Sequence, residues 1–459
     1  MVVINQNVFI HSFRGIGAIM LLAFSSFCFA LPQLAGSKTA YHYDTKQTIT
    51  PAPKGYQAFY INHIGRHGSR YISKSKYEEI AYQTLLLADK DNQLTDEGKS
   101  LLKQVLYIKQ LNNNHYGELT DLGRQDIGLI SQRMLKNNPT VFKGHNIAVI
   151  SSTSPRAKET AEIFVQPFKA KYPHIQVTTQ LENEQTLLRF FIYSPAYDKY
   201  KQSKVVKNAL KEIKFSPKTI ALSQTVAMKF FTLDFIEKLN VGMDIGEYNS
   251  IKTEDFSLAV YQLYQELQAL PTEVLVNHQL NFDDYFSEEA NAWFNTVVTA
   301  KNYLQIGPAF DANGIQIKIA APLLKDMLVT ADIAITSNNV DANLRFAHAE
   351  TLSPFATLME IEGTTKVAKT LFDYPTVWHA EKIIPMGANI QWIFYKSEQP
   401  HHPILVKILL NEQEVHLPIS TQQYPYYRWQ DVKQFYTNKL NQLGLNENQP
   451  DIDMLKKLK

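Results

Sequence analysis

The chain has 459 residues, a formal net charge of +2 from 46 Lys and Arg against 44 Asp and Glu, and a single cysteine, Cys28. A balance this close to neutral sets up no global field for nucleic acid or an anionic membrane, so any anion site has to be a local concentration of Arg and Lys.

Met1 to Ala30 reads as a secretory signal peptide: Arg14 supplies the positive start, Gly15 to Phe27 the apolar run, and Ala30 a cleavage position. The apolar run is shorter than the ~20 residues of a spanning helix. Removal of that segment also removes Cys28, which excludes disulfides, thiolate catalysis and Cys-ligated metal from the mature chain. The one N-x-S/T string, at Asn138, is blocked by Pro139. Export without disulfides or glycosylation fits a periplasm or secretion from a bacterial cell. About 430 residues remain, enough for two or three domains or for one domain with a large insertion.

Leu31 to Pro53 reads as an extended arm, and Ala58 to Ile64 as the first strand. Helical spacing follows at Lys76–Leu87 and Asp96–Leu111. Two similar strings, Leu94-Thr95-Asp96-Glu97-Gly98 and Leu119-Thr120-Asp121-Leu122-Gly123, read as repeated helix caps with Thr or Asp as the capping residue. His145 to Ser151 is a second strand, and Ser154-Pro155 opens a helix over Ala157–Phe164 with Arg156 in its first turn. From Leu187 to Leu304 helical stretches dominate (Thr219–Leu239, Asp255–Leu270, Glu288–Leu304), as expected of a helical insertion between pieces of an α/β domain. A helical stretch over Ile315–Thr330 then leads to a short strand candidate, Asp332–Thr336, and to a helix over Pro354–Ile361. Asn389–Phe394 and Ile404–Leu410 read as further strands, and Trp429–Leu440 as a C-terminal helix.

The chemistry concentrates behind the first strand, where Arg66, His67 and Arg70 crowd around Gly65 and Gly68. Burying unpaired positive charge is costly, and a phosphate resolves the conflict: guanidinium groups fork onto its oxygens and an imidazole can attack phosphorus. A solvated basic turn is the plainer alternative. Arg156 sits where a helix leaves the carboxyl end of a strand, the edge at which parallel α/β sheets bind ligands, although a helix arginine can equally face solvent. His348 and Glu350 are two residues apart at a strand-to-helix junction, and extended backbone would project both to one side. They could also be a satisfied core histidine and a carboxylate serving the next helix N-terminus.

Arg66-His67-Gly68-x-Arg70, the later Arg156 and His348-Ala349-Glu350 together resemble the histidine phosphatase superfamily, in its acid phosphatase and phytase branch. Most acid phosphatases of that branch carry His-Asp at the last position, whereas the multiple inositol polyphosphate phosphatases carry His-Ala-Glu, as here. Ser37-Lys38-Thr39-Ala40-Tyr41, Gly117-Glu118-Leu119-Thr120 with Gly123, Leu188-Arg189-Phe190, Leu410-Asn411-Glu412 and Leu417-Pro418 resemble the same subgroup.

The resemblance implies an α/β fold, a phosphoglycerate-mutase-like core sheet flanked by helices with an inserted α-helical cap. Residues 1–30 would be the signal peptide, 31–186 and 305–459 the two parts of the phosphatase domain, and 187–304 the cap. It makes His67 the nucleophile and Glu350 the proton donor, with Arg66, Arg70, Arg156 and His348 binding phosphate. Lys38 and Arg189 are candidate contacts to the rest of the substrate. The expected partner is a phosphorylated small molecule such as an inositol polyphosphate. No nucleic acid, no cofactor, no metal and, after signal cleavage, no membrane is called for, and the protein is expected to be a monomer. A small-molecule acid phosphatase of broader specificity and a non-catalytic phosphate-binding protein are the alternatives. Two departures from the family pattern touch the surroundings: Ile72-Ser73 stands where a Pro usually follows the second Arg, and the C-terminal cysteines of eukaryotic relatives are missing.

Overall fold

The computed structural model describes residues 35–180, 185–445 and 448–459. The expected signal segment, Met1–Ala30 with Cys28, lies outside the described residues. Among those described, no helix is long and apolar enough to cross a membrane.

An eight-stranded sheet runs through the described residues in the order β10-β8-β7-β1-β6-β2-β3, with the short β9 paired to β8. Its strands are β1 (Tyr56–Arg66), β2 (Asn146–Ser151), β3 (Val177–Gln180), β6 (Val340–Ala347), β7 (Asn389–Ser397), β8 (Leu405–Leu410), β9 (Gln413–Glu414) and β10 (Tyr426–Arg428); β4 (Met243–Ile245) and β5 (Tyr248–Ile251) form a separate hairpin. β1, β6, β2 and β3 are parallel, and β7, β8 and β10 continue antiparallel from β1. Helices cover both faces of this mixed sheet, because both of its faces are apolar.

Ile61, Ile147, Val149, Ala342 and Leu344 bury one face against Ile127, Ile130 and Met134 of α3 (Asp121–Asn137) and Phe164 and Phe168 of α4 (Pro155–Lys171). Tyr60, Ile64, Trp392 and Phe394 bury the other face against the helices Ala321–Ser337, Ala349–Leu358 and Trp429–Gln442. That second apolar cluster continues into α1 (Lys76–Lys90), α2 (Asp96–Asn112) and the helices between β3 and β6, so these share one core with the sheet.

Four expected elements differ, the first being Ile315–Thr330, which is two helices, Ile315–Lys318 and one that starts at Ala321. Asp332–Thr336, expected as a strand, lies inside the helix Ala321–Ser337, and the strand comes later as β6. Ile333-Ala334-Ile335 is too short a run to set its own period; Ala331 and Ala334 face the core at helical spacing, and the helix ends only at Asn338, in the left-handed region. Thr219–Leu239 is two helices, Pro217–Ala227 and Leu233–Val241. Finally, Glu350 is in the first turn of a helix rather than in extended chain, with His348 as its N-cap.

Candidate active site

Arg66 is the last residue of β1 and pairs in register with Ala347, the last of β6, while Ser151 ends β2 opposite Phe346. Three parallel strands therefore finish side by side, and the residues just past their ends, His67, Ser152 and His348, meet above one edge of the sheet. Backbone bonds fix the junction: His67 N–H donates to Ala347 O (3.1 Å), Ser152 N–H to Phe346 O (2.9 Å) and Gly387 N–H to His67 O (2.9 Å).

The turn after His67 rests on the start of α3. Thr120 caps that helix by accepting the Gly123 N–H at 3.2 Å, and its own N–H donates to Ser69 O at 3.0 Å. Gly68 and Gly123 are the contact points: a Cβ on Gly68 would come within 2.6 Å of Gly123 O, and one on Gly123 would overlap the Ser69 backbone. Further along, Gly117 (φ +79°) leaves room beside the Arg156 guanidinium and donates its N–H to Ile72 O. The Gly-Glu-Leu-Thr string thus serves to seat the Arg-His-Gly turn.

Arg66 is anchored through Nη1, which donates to Ser37 O and Ile384 O, each at 2.5 Å. Arg156 occupies the first turn of α4 after the Ser154-Pro155 start. On the far side, Thr351 Oγ1 donates to Leu188 O (2.6 Å), which draws Arg189 and Phe191 against the helix that carries Glu350. Ser154, Arg156, Arg189, Phe191, His348 and Glu350 line a cleft of about 300 Å³. The His67 and His348 rings meet edge to face, with centroids 5.6 Å apart.

His67 Nδ1 lies 2.9 Å from Gly68 O. A carbonyl only accepts, so Nδ1 carries the ring hydrogen and Nε2 keeps its lone pair. Burial, then Arg66, His348, Arg156 and Arg70, hold this imidazole well below its ordinary basicity. Burial also lowers His348 to about 4, with the arginines adding to the effect and Glu350 opposing it. Burial and neighbouring guanidinium groups bring Arg66 down to about 9 and Arg156 down to about 10.

Glu350 opens onto the cleft but is ringed by protein. That enclosure pushes its carboxyl up, and His348, its own backbone N–H, Arg66 and Arg70 together outweigh it, leaving the carboxyl below the usual range. The Nε groups of Arg66, Arg70, Arg156 and Arg189 are all buried without a hydrogen-bond partner in the protein. So much positive charge converging on one carboxylate is the environment that a multiply charged anion stabilises.

Of the residues singled out from sequence, Arg66, His67, Arg70, Arg156, Arg189, His348 and Glu350 come together here. Lys38 is differently engaged: its Nζ lies 2.9 Å from Glu266 Oε1 and also reaches Gln262. Sequence reasoning missed Phe191, whose ring stands edge-on to His348 with centroids 6.4 Å apart, and Ser152, whose Oγ is 2.9 Å from His348 Nε2. It also missed Glu266, whose charge acts on Arg66. None has a motif of its own; the only sequence signal for Ser152 is its place directly after the second parallel strand.

A family model described as histidine phosphatase superfamily (branch 2) matches residues 60–411. The chain belongs to this superfamily. It is accordingly a hydrolase of the histidine acid phosphatase type, and the mixed α/β sheet with helices on both faces is that family's fold. Among solved structures, the apo form of the multiple inositol polyphosphate phosphatase of Bifidobacterium longum is similar at 25% identity and a TM-score of 0.77, covering 87% of this chain and 96% of that one. Its complex with inositol hexasulfate is similar at 24% identity and a TM-score of 0.77, over the same shares of both chains. The phytase of D. castellii shares the fold at 15% identity and a TM-score of 0.60, over 90% of this chain and 87% of that one. No curated protein matches the chain.

Proposed function

We propose that this histidine phosphatase is an exported phosphomonoesterase that hydrolyses inositol polyphosphates, phytate among them, through a phosphohistidine on His67. The observation that carries the reading is the bond from His67 Nδ1 to Gly68 O, which leaves Nε2 unprotonated beside the guanidinium groups of Arg66, Arg70 and Arg156. A metal-free phosphoryl transfer asks for an in-line nucleophile and dense positive charge about the equatorial oxygens, and for little else from the protein.

In the first step Nε2 of His67 forms a bond to phosphorus, the P–O ester bond breaks, and Glu350 gives its proton to the leaving alcohol. In the second, water attacks phosphorus, the P–N bond breaks, and Glu350 takes the proton from the water. Arg66, Arg70, Arg156 and His348 hold the phosphate oxygens throughout. Arg189, on the cleft wall beside Phe191, is the residue we assign to the remainder of the substrate. Residues 187–304 serve in this reading as the cap over the site, and Met1–Ala30 as the export signal.

Inositol polyphosphate is favoured by the His-Ala-Glu string and by the likeness to a phosphatase crystallised with inositol hexasulfate. One observation favours a second reading, a phosphatase of small monoesters in general: Lys38, the expected contact for a further phosphate, is paired with Glu266. The two separate in one assay, phosphate release from phytate and from p-nitrophenyl phosphate in chelator, from acid to neutral pH, with His67→Ala alongside. His67-dependent turnover of both is expected. Turnover of the aryl ester alone selects the second reading, and tight phosphate binding with turnover of neither excludes both.

A further inference from the structure

The residue after β2 has no part in the proposed reaction, yet it is fully buried and, among the described residues, its side chain hydrogen-bonds to a ring nitrogen in the cleft wall. We propose that Ser152 is a positioning residue: its hydroxyl donates to Nε2 of His348 and so holds the hydrogen of the neutral imidazole on Nδ1, the nitrogen left to face the cleft. The inference rests on the proposed role of His348 in binding phosphate.

The direction of the bond decides what the ring can do. Ser152 Oγ and His348 Nε2 are 2.9 Å apart, and a hydroxyl can give or take a hydrogen in that contact. If it accepted, the neutral ring would carry its hydrogen on Nε2 and present a lone pair on Nδ1 to the anion, an acceptor facing acceptors. If it donates, Nδ1–H is the donor that a phosphate oxygen needs. Which nitrogen of a neutral imidazole is protonated is set by the bond the other one makes.

The surroundings demand such a device. Glu350, Arg156, Arg189 and Arg66 act on this ring from separate elements, and the His67 ring meets it edge to face. With burial and the arginines holding His348 near 4, the ring is neutral over most of the pH range and has one hydrogen to place. Ser152 can place it reliably because its backbone is fixed: its N–H donates to Phe346 O at 2.9 Å, locking the end of β2 to the end of β6. Below that pH the imidazolium has a hydrogen on both nitrogens, and the serine is then dispensable as a donor.

The test combines a direct readout with kinetics. Long-range ¹H–¹⁵N correlation on ¹⁵N-histidine protein, with His348→Asn used for assignment, should show His348 with its hydrogen on Nδ1 at neutral pH. Ser152→Ala should move it to Nε2, and Ser152→Thr, which keeps the hydroxyl, should restore it. For p-nitrophenyl phosphate, kcat/KM of Ser152→Ala should fall about tenfold at neutral pH, the scale of one hydrogen bond to a charged group, with a smaller loss below pH 4. Inhibition by inorganic phosphate should weaken in parallel.

A wild-type ring with its hydrogen on Nε2 would overturn the inference whether or not the alanine variant folds. So would a loss in Ser152→Ala that is uniform across pH and not recovered by threonine. A wild type with the expected ring hydrogen but no turnover of either ester would overturn the phosphatase reading, and the catalytic part of this inference with it.

Discussion

In the proposed reaction Glu350 carries a proton when the ester oxygen leaves and is without one when water attacks, so the charges around it would set the pH range of turnover. Activity that needs the protonated acid falls as pH rises through its pKa. In the free protein His348, Arg66 and Arg70 keep that pKa low, against the effect of burial. A bound phosphate dianion offsets the arginines and raises it, so the falling limb of kcat should lie at higher pH than that of kcat/KM. His67 does not limit the acid side in the same way, because burial and the same arginines keep it neutral well into acid. Glu350→Gln tests the assignment through the leaving group. General acid catalysis supplies about 10²- to 10⁴-fold, so kcat/KM for inositol or alkyl phosphates, which reports phosphoenzyme formation and not the second step that all esters share, should drop by that order. p-Nitrophenyl phosphate, whose phenolate leaves unaided, should lose far less. Equal losses on both would remove Glu350 from the proton-donor role.

Among the elements, the reactive turn is held by its packing on α3, and two glycines permit the approach. In Gly123→Ala the new methyl would overlap the Ser69 backbone, so the turn or the helix must shift. Overpacking of this kind costs about 1 to 3 kcal/mol, to be read from urea unfolding. A displaced His67 should also lower kcat by more than an order of magnitude, since small misplacements in a preorganised site are expensive. Unchanged kinetics would mean that the turn is held by something else. Much of this was legible in the sequence. β1 and β2 were expected nearly where they lie because each apolar run is followed by turn chemistry, α4 starts at the expected Ser154-Pro155 but runs on to Lys171, and the two Thr-x-x-Gly starts do cap through threonine. The β4–β5 hairpin was not, since its strands of three and four residues carry too little pattern. Lys38 was expected to touch substrate because Ser37-Lys38-Thr39-Ala40-Tyr41 resembles the subgroup and an inositol polyphosphate carries phosphates beyond the scissile one. Its partner Glu266 lies more than two hundred residues away on the helix Thr253–Glu266, and no local signal announces that pairing. Arg189 and Phe191 reach the site through Leu188 and Thr351, again a tertiary contact.

For the molecule as a whole, the proposed acid-assisted chemistry sits in a framework that acid weakens. His63, inside β1 and fully buried, packs on Phe164 and Phe346 with neither ring nitrogen bonded. Burial and Arg345 lower it to about 3. Its folded pKa is below its unfolded one, so between them the unfolded chain binds more protons and stability rises with pH. The contribution is complete above the unfolded value near 6.5 and is lost as pH falls toward 3. By about pH 4.5 this one group should have cost roughly 2 to 3 kcal/mol. His63→Leu should therefore recover stability at that pH relative to wild type while changing little, or losing some, at neutral pH, as denaturant titrations at the two values would show. A wild-type difference that leucine leaves intact would assign the acid sensitivity elsewhere. The most direct test of covalent catalysis by His67 is an alkaline quench of the reaction during turnover of a labelled phosphomonoester, with mapping of the phosphorylated peptide. One phosphate on His67 is expected, absent in His67→Ala together with turnover; turnover that survives in His67→Ala with no phosphohistidine in the wild type would rule the mechanism out.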